Sequence, residues 1–214
     1  MASNQQRGLY DAIFEKLVRS EFSQKPFLPQ DDLETLITED TVKEELDNAL
    51  GTVDSSLVKY IAKHARKIFA TLVIQDKVMK AANLERSGFN DDYLPIANEE
   101  SGLTSLSGLS RDRHAWKWFK GWTTQERNDF CEKQWTFLSP IFESNSTMEV
   151  LHRDCRLPFI THDSKSGAGS FSFVHKATIH HAHHKISSVS SSSSICRILL
   201  TAIGKPCHCN QGTT

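Results

Sequence analysis

The feature that most constrains this chain is a change of hydrophobic period near residue 146. Upstream, apolar residues recur every three or four positions, the repeat of an amphipathic helix. Downstream they alternate, the repeat of a strand. Leu9, Ile13, Phe14, Leu17 and Val18 lay one stripe along a first helix. "KPFLPQDD" (25–32) interrupts it, because two prolines hold the backbone extended, and Asp31 or Asp32 can cap the helix that follows. Val42, Leu46, Ala49 and Leu50 mark another helix, with Thr41 and Glu44 spaced as a capping box and Gly51 as its stop. The spacing predicts the longest helix from about Ser56 to Lys80, with Leu57, Ile61, Ala65, Ile68, Leu72 and Val73 facing inward.

After a turn-rich connector, "SGFNDDYLPI" (87–96), the stretch "SGLTSLSGLS" (101–110) reads as a flexible linker. The segment 114–142 then holds all four tryptophans, and Thr123 with Glu126 matches a capping box that opens a helix carrying Phe130, Gln134 and Phe137. From Met148 the texture changes: "MEVLHRDCRLPFI" and "GSFSFVHKATIHH" alternate and are rich in β-formers, which predicts two or three strands. "SSVSSSSS" (187–194) is too polar to build a core. The expected fold class is α+β: a mainly α-helical N-terminal domain over residues 1–145, a short β segment within 146–184, and a low-complexity, disordered tail over 185–214.

Composition narrows the function classes. Twenty-five Lys+Arg stand against 26 Asp+Glu, for a net charge of -1, without the basic or acidic block that a nucleic-acid or membrane-surface partner calls for. The longest apolar stretch, "IFATLVI" (68–74), is far short of the ~20 residues of a membrane span. The first residues lack the layout of a secretory signal. Five cysteines, an odd number without framework spacing, fit a reducing compartment. The expectation is an intracellular protein, cytoplasmic or nuclear, without nucleic-acid or membrane partners.

The stretch with chemical promise is "GAGSFSFVHKA" (167–177). Gly167 and Gly169 let backbone approach a phosphate closely, and a run of exposed N–H groups can then cradle anionic oxygens. In a nucleotide-covering loop, Gly167, Ala168, Gly169, Ser170, Phe171 and Ser172 would form the cover, and Val174 would pack on a flat base. The same letters also suit a tight Gly/Ser turn between two strands. Both readings need a hairpin.

Around that loop, "RLPFITHDSKSGAGSFSFVHKATIHHAHH" (156–184) resembles the start of the kinase domain in the protein-kinase-like proteins of filamentous fungi. "FLPQDDLETLITEDTVKEEL", "FNDDYLPI" and "WKWFKGWTTQERNDFCEKQWTFLSPIF" are similar, in the same order, to the helical region that precedes the kinase domain there. The resemblance covers roughly residues 5–184. It implies a serine/threonine protein kinase fold, ATP with Mg as cofactor, and a G-x-G-x-x-G-x-V loop in which Ser172 replaces the third glycine.

The resemblance then fails. A kinase needs a lysine on its third strand for the α- and β-phosphates, an H-R-D loop for the base, and a D-F-G motif for the metal. Lys176 follows Val174 by two residues in the second strand, and Lys205 in "TAIGK" is a poor match to V-A-I-K. "HRDC" (152–155) precedes the glycine loop, so its letters are coincidental. The expectation is therefore a kinase-like chain cut short, with no catalytic residue and no metal ligand carried over, and feeble ATP binding or none. The alternative is a non-enzymatic helical interaction or regulatory module with a protein partner.

Two further clusters stand out in the sequence. His175, His180, His181, His183 and His184 crowd ten residues, yet lack the paired spacings of structural zinc, which favours a polar loop. Trp116, Trp118, Trp122 and Trp135 could anchor a partner, but such a set is more often core.

Overall fold

The computed structural model describes residues 8–99, 102–105, 118–143, 151–163, 168–169, 172–173, 175–185 and 195–198. It is α+β and mainly helical, with the strands in small sheets.

Helix α1 (Leu9–Glu15) is shorter than its apolar stripe suggests. Leu9 and Ile13 are buried, whereas Phe14 is 48% exposed, stacked on Tyr10 at 4.6 Å. Val18 has left the helix: β1 (Val18–Arg19) pairs antiparallel with β2 (Pro26–Phe27). Proline at 26 forbids helix there, so the chain folds back and buries Phe27 completely. Helix α2 (Gln30–Leu36) follows, with Pro29 rather than an aspartate at its N-cap. Asp31 and Asp32 lie instead in the first turn, where carboxylates favour the positive end of the helix dipole.

Helix α3 (Glu39–Leu50) opens one turn earlier than its sequence signal implied. Thr38, not Thr41, is the cap: the Thr41 amide donates to Thr38 Oγ1 at 3.3 Å, and the Thr38 amide donates to Thr41 Oγ1 at 3.0 Å. Threonine can fill both roles of the box because its hydroxyl accepts as a glutamate does. Gly51, at φ 82, closes the helix in a conformation only glycine adopts freely.

The long helix expected over 56–80 is three pieces. Helix α4 (Ser55–His64) is capped by Asp54, Ala65 breaks it at φ -140, and α5 (Arg66–Ile74) restarts at once. A 3-10 segment, Val78–Asn83, completes the run. The break has a remote cause. The amides of Lys67 and Ile68 at the start of α5 donate to the two carboxylate oxygens of Asp91, at 2.9 and 3.0 Å. That cap comes from the connector after α6 (Leu84–Ser87), 23 and 24 residues away in sequence. Burial pushes the Asp91 carboxyl up to about 6 although both amides favour its charged form.

β3 (Ile96–Glu99) pairs antiparallel with β4 (Gly102–Ser105), so the first part of the expected linker is a hairpin arm. Helix α7 (Thr124–Lys133) starts at its capping box as the spacing predicts. The Glu126 amide donates to Thr123 Oγ1 at 3.2 Å, and the Thr123 amide donates to Glu126 Oε2 at 2.8 Å. Buried Gln134 follows; its amide group accepts from Ile96 N at 2.8 Å and donates to Ile96 O at 2.6 Å, tying β3 to α7.

One hydrophobic cluster runs through this region from Leu9 to Phe137. Its densest part is aromatic: Phe89, Trp118, Phe119, Trp122 and Phe130 stack or meet edge to face at 4.7–5.9 Å between ring centres. Trp118 Nε1 donates to Lys80 O at 3.0 Å, which satisfies the one polar atom of a buried indole. These two tryptophans are core. Trp116 lies outside the described residues.

Beyond it, β6 (Phe159–Asp163) and β9 (His175–Ile179) pair antiparallel, and β11 (Ile195–Ile198) adds antiparallel to the other side of β9. β11 falls in the stretch expected to be tail. "ICRI" carries two β-branched isoleucines, which suit a strand that adds to a ladder. β5 (Phe142–Glu143) pairs parallel with β10 (His184–Lys185), which brings the far end of the β segment back to the end of the helical region.

Candidate nucleotide-covering hairpin

The candidate site is built outward from β6 and β9. Their ladder runs from Phe159↔Ile179 to Asp163↔Lys176, with a register shift between Phe159 and Thr161. Thr161 Oγ1 donates to Thr178 Oγ1 across it at 2.7 Å. Two further short strands, β7 (Ala168–Gly169) and β8 (Ser172–Phe173), pair antiparallel with each other, as Ala168↔Phe173 and Gly169↔Ser172.

Of the expected cover residues, Ala168 and Gly169 stand in β7 and Ser172 in β8. Gly167, Ser170, Phe171 and Val174 lie outside the described residues, as does Lys205. Lys176 sits mid-ladder in β9, in register with Asp163 on one side and Arg197 of β11 on the other. The third strand carries one cation, Arg197, and no lysine.

The base of the hairpin is anchored on the helical region. Glu21 N donates to Phe159 O at 3.0 Å, and the Arg156 guanidinium donates to Pro26 O. Phe159 is fully buried, edge-on to Phe22 and stacked on Phe142, and forms a small core with Ala177 and Ile179. After β9 a 3-10 turn, His181–His183, faces α2 and β2. His183 is 2% exposed and lies 3.0 Å from Pro140 O through Nδ1, with Phe27 edge-on to its ring at 5.4 Å. His181 Nε2 is 3.4 Å from Asp31. The histidine run is thus a docking turn, and among the described residues no group of three or more His, Cys, Asp or Glu is placed to hold a metal ion.

"HRDC" lies elsewhere. His152 stacks flat on Trp135, 4.8 Å between ring centres and 9° between planes. Burial pushes the Cys155 thiol up to about 11, which leaves it an inert thiol rather than a nucleophile. Two cavities share Trp135 as a wall. One, of about 480 Å³, is lined by Lys25, Cys131, Glu132, Asp154 and Arg156. The other, of about 620 Å³, is lined mainly by Pro95, Leu138, Pro140, Leu151 and His152. Sequence reasoning missed this groove, because Trp135 and His152 are joined only by the fold.

The donor set fits one part of the cofactor that the resemblance implies. A glycine in β7 gives a backbone that phosphate oxygens can approach. Among the described residues there is neither a lysine in β11 nor a group of acidic residues placed to hold magnesium.

No protein-family model, no curated protein and no solved structure matches the chain.

Proposed function

We propose that residues 155–185 are the opening strands of a serine/threonine protein-kinase-like N-lobe seated on a helical region. On their own, these 214 residues do not transfer phosphate. One observation supports this reading most: antiparallel β6 and β9 enclose in sequence the antiparallel pair β7–β8, which carries Gly169, and a third antiparallel strand, β11, adds to β9. In a kinase that arrangement spreads backbone N–H groups over the phosphates of ATP. Gly167, Ala168, Gly169, Ser170, Phe171, Ser172 and Val174 are the residues the reading assigns to the cover. Phosphoryl transfer rests on positioning and charge stabilisation, and the sequence contains no D-F-G motif, no H-R-D motif after the glycine loop, and no third-strand lysine in β11.

Binding should be weak for the same reason. A loop ordered only on binding loses roughly 1–2 kcal/mol per residue fixed, and without a third-strand lysine or the metal motifs the sequence offers little to offset that. Titrating Mg-ATP while following backbone amide NMR shifts across 167–174 tests the reading. Shifts confined to the hairpin, with a Kd of ~1 mM or weaker (about -4.1 kcal/mol), are expected. The phosphorus resonances of ATP should persist in the presence of a generic peptide substrate. Saturation at micromolar nucleotide, or turnover that survives further purification, would overturn it.

A second reading, a helical interaction module, draws on Tyr10 and Phe14. The two rings are 45% and 48% exposed and stacked on one face of α1, an aromatic pair of the kind that anchors protein partners.

A further inference from the structure

The hairpin and the helical region meet at a histidine whose protonation the packing cannot accommodate. A carbonyl oxygen only accepts, so the 3.0 Å contact to Pro140 O requires His183 Nδ1 to carry the hydrogen. Nε2 then holds the lone pair, and it is buried without a hydrogen-bond partner. A proton added there would create a buried imidazolium N–H with no acceptor. His180, in the same turn, also works as a neutral ring, because its Nδ1 accepts from Ala182 N at 3.3 Å.

We propose that neutral His183 is a latch that docks the glycine hairpin onto the helical region and that proton uptake releases it. The proposal stands whether or not the hairpin covers a nucleotide. What the latch holds is defined by the contacts around it. β10 leaves the turn and pairs with β5, Phe27 of β2 packs on both His180 and His183, and Phe159 receives the amide of Glu21.

The charged groups around His183 come from several elements. Asp31 of α2 and the Pro140 carbonyl favour its charged form; Lys67 of α5 and His180 of its own turn oppose it. Asp31 is already shared with His181. Desolvation outweighs them all and holds His183 down to about 4, against about 6.5 for a solvated imidazole. The sign follows. Between those values the released state takes a proton that the docked state refuses, so docking is at full strength above about pH 6.5 and weakens as pH falls toward 4. At pH 5 the docking equilibrium should stand about 30-fold below its value at pH 8.

Amide hydrogen exchange on the full chain reads this directly. The Glu21 amide, bonded to Phe159 O, reports docking; the Leu28 amide, bonded to Thr136 O at 2.9 Å within the helical region, reports the platform. The Glu21-to-Leu28 ratio of protection factors should fall about 30-fold from pH 8 to pH 5. His183→Phe keeps a buried ring without a titrating nitrogen, and its ratio should be independent of pH. Should that variant not fold, NMR titration of the His183 ring in the unaltered chain is expected to give a value near 4. A wild-type ratio that stays constant would overturn the proposal. So would the same acid loss in a folded His183→Phe, or a ring that titrates near 6.5 while Glu21 stays protected.

Discussion

The helical region and the glycine hairpin bury their apolar residues on different scales. The first has a continuous cluster from Leu9 to Phe137, in which most elements touch two or more others. The second has a cluster of three buried apolar residues among those described, Phe159, Ala177 and Ile179, with Phe142 and Leu157 packed beside them. An isolated two-stranded ribbon is at best marginally stable in water, so this small core needs a platform. The helical region supplies one through Phe22, Phe27 and the Glu21 amide. What the difference teaches is that the boundary near 145 divides two hydrophobic patterns without separating two bodies. β5 lies before that boundary and pairs with β10 after it.

The same substitution in each region would sharpen the comparison. Phe130 and Phe159 are both fully buried. Phe130→Ala should lower global stability by about 3–5 kcal/mol and shift the cooperative helical melt, read by circular dichroism in denaturant. Phe159→Ala should move that melt by less than about 1 kcal/mol while abolishing exchange protection at His180, whose amide donates to Pro158 O at 2.8 Å. Equal shifts would mean that the two regions share one core. A smaller effect, about 1–2 kcal/mol, is expected for Asp91→Ala, which strips the remote cap from α5; Asp91→Asn, which keeps one acceptor, should lose less. A loss confined to the connector, with α5 amides unchanged, would show that the cap does not hold the helix.

Much of this was readable from local pattern, and the misses share a cause. The box at Thr123 and Glu126, the stop at Gly51 and the strand character after residue 155 are short-range signals, and each is found in place. The break at Ala65 was invisible because its cause, Asp91, lies far along the chain. β4 was read as linker from its Ser and Gly content, although pairing with β3 gives those residues a ladder. Val18 matched a helical stripe until Pro26 drew it into a hairpin. At the candidate site, the alternation announced the strands on both sides of the glycines. The histidine run gave no sign of which ring would be buried, since His180, His181, His183 and His184 differ only in where the 3-10 turn points them.

Native-state hydrogen exchange of the full chain at neutral pH, in rising denaturant, tests most directly the claim that the glycine hairpin is a separately opening element docked on a self-sufficient helical core. Val42 and Phe69, whose amides are bonded within α3 and α5, should exchange only by global unfolding, with a steep dependence on denaturant. Glu21 and His180 should open at a lower free energy with a shallower slope, because releasing the hairpin exposes little surface. A single free energy and a single slope shared by all four amides would contradict the account.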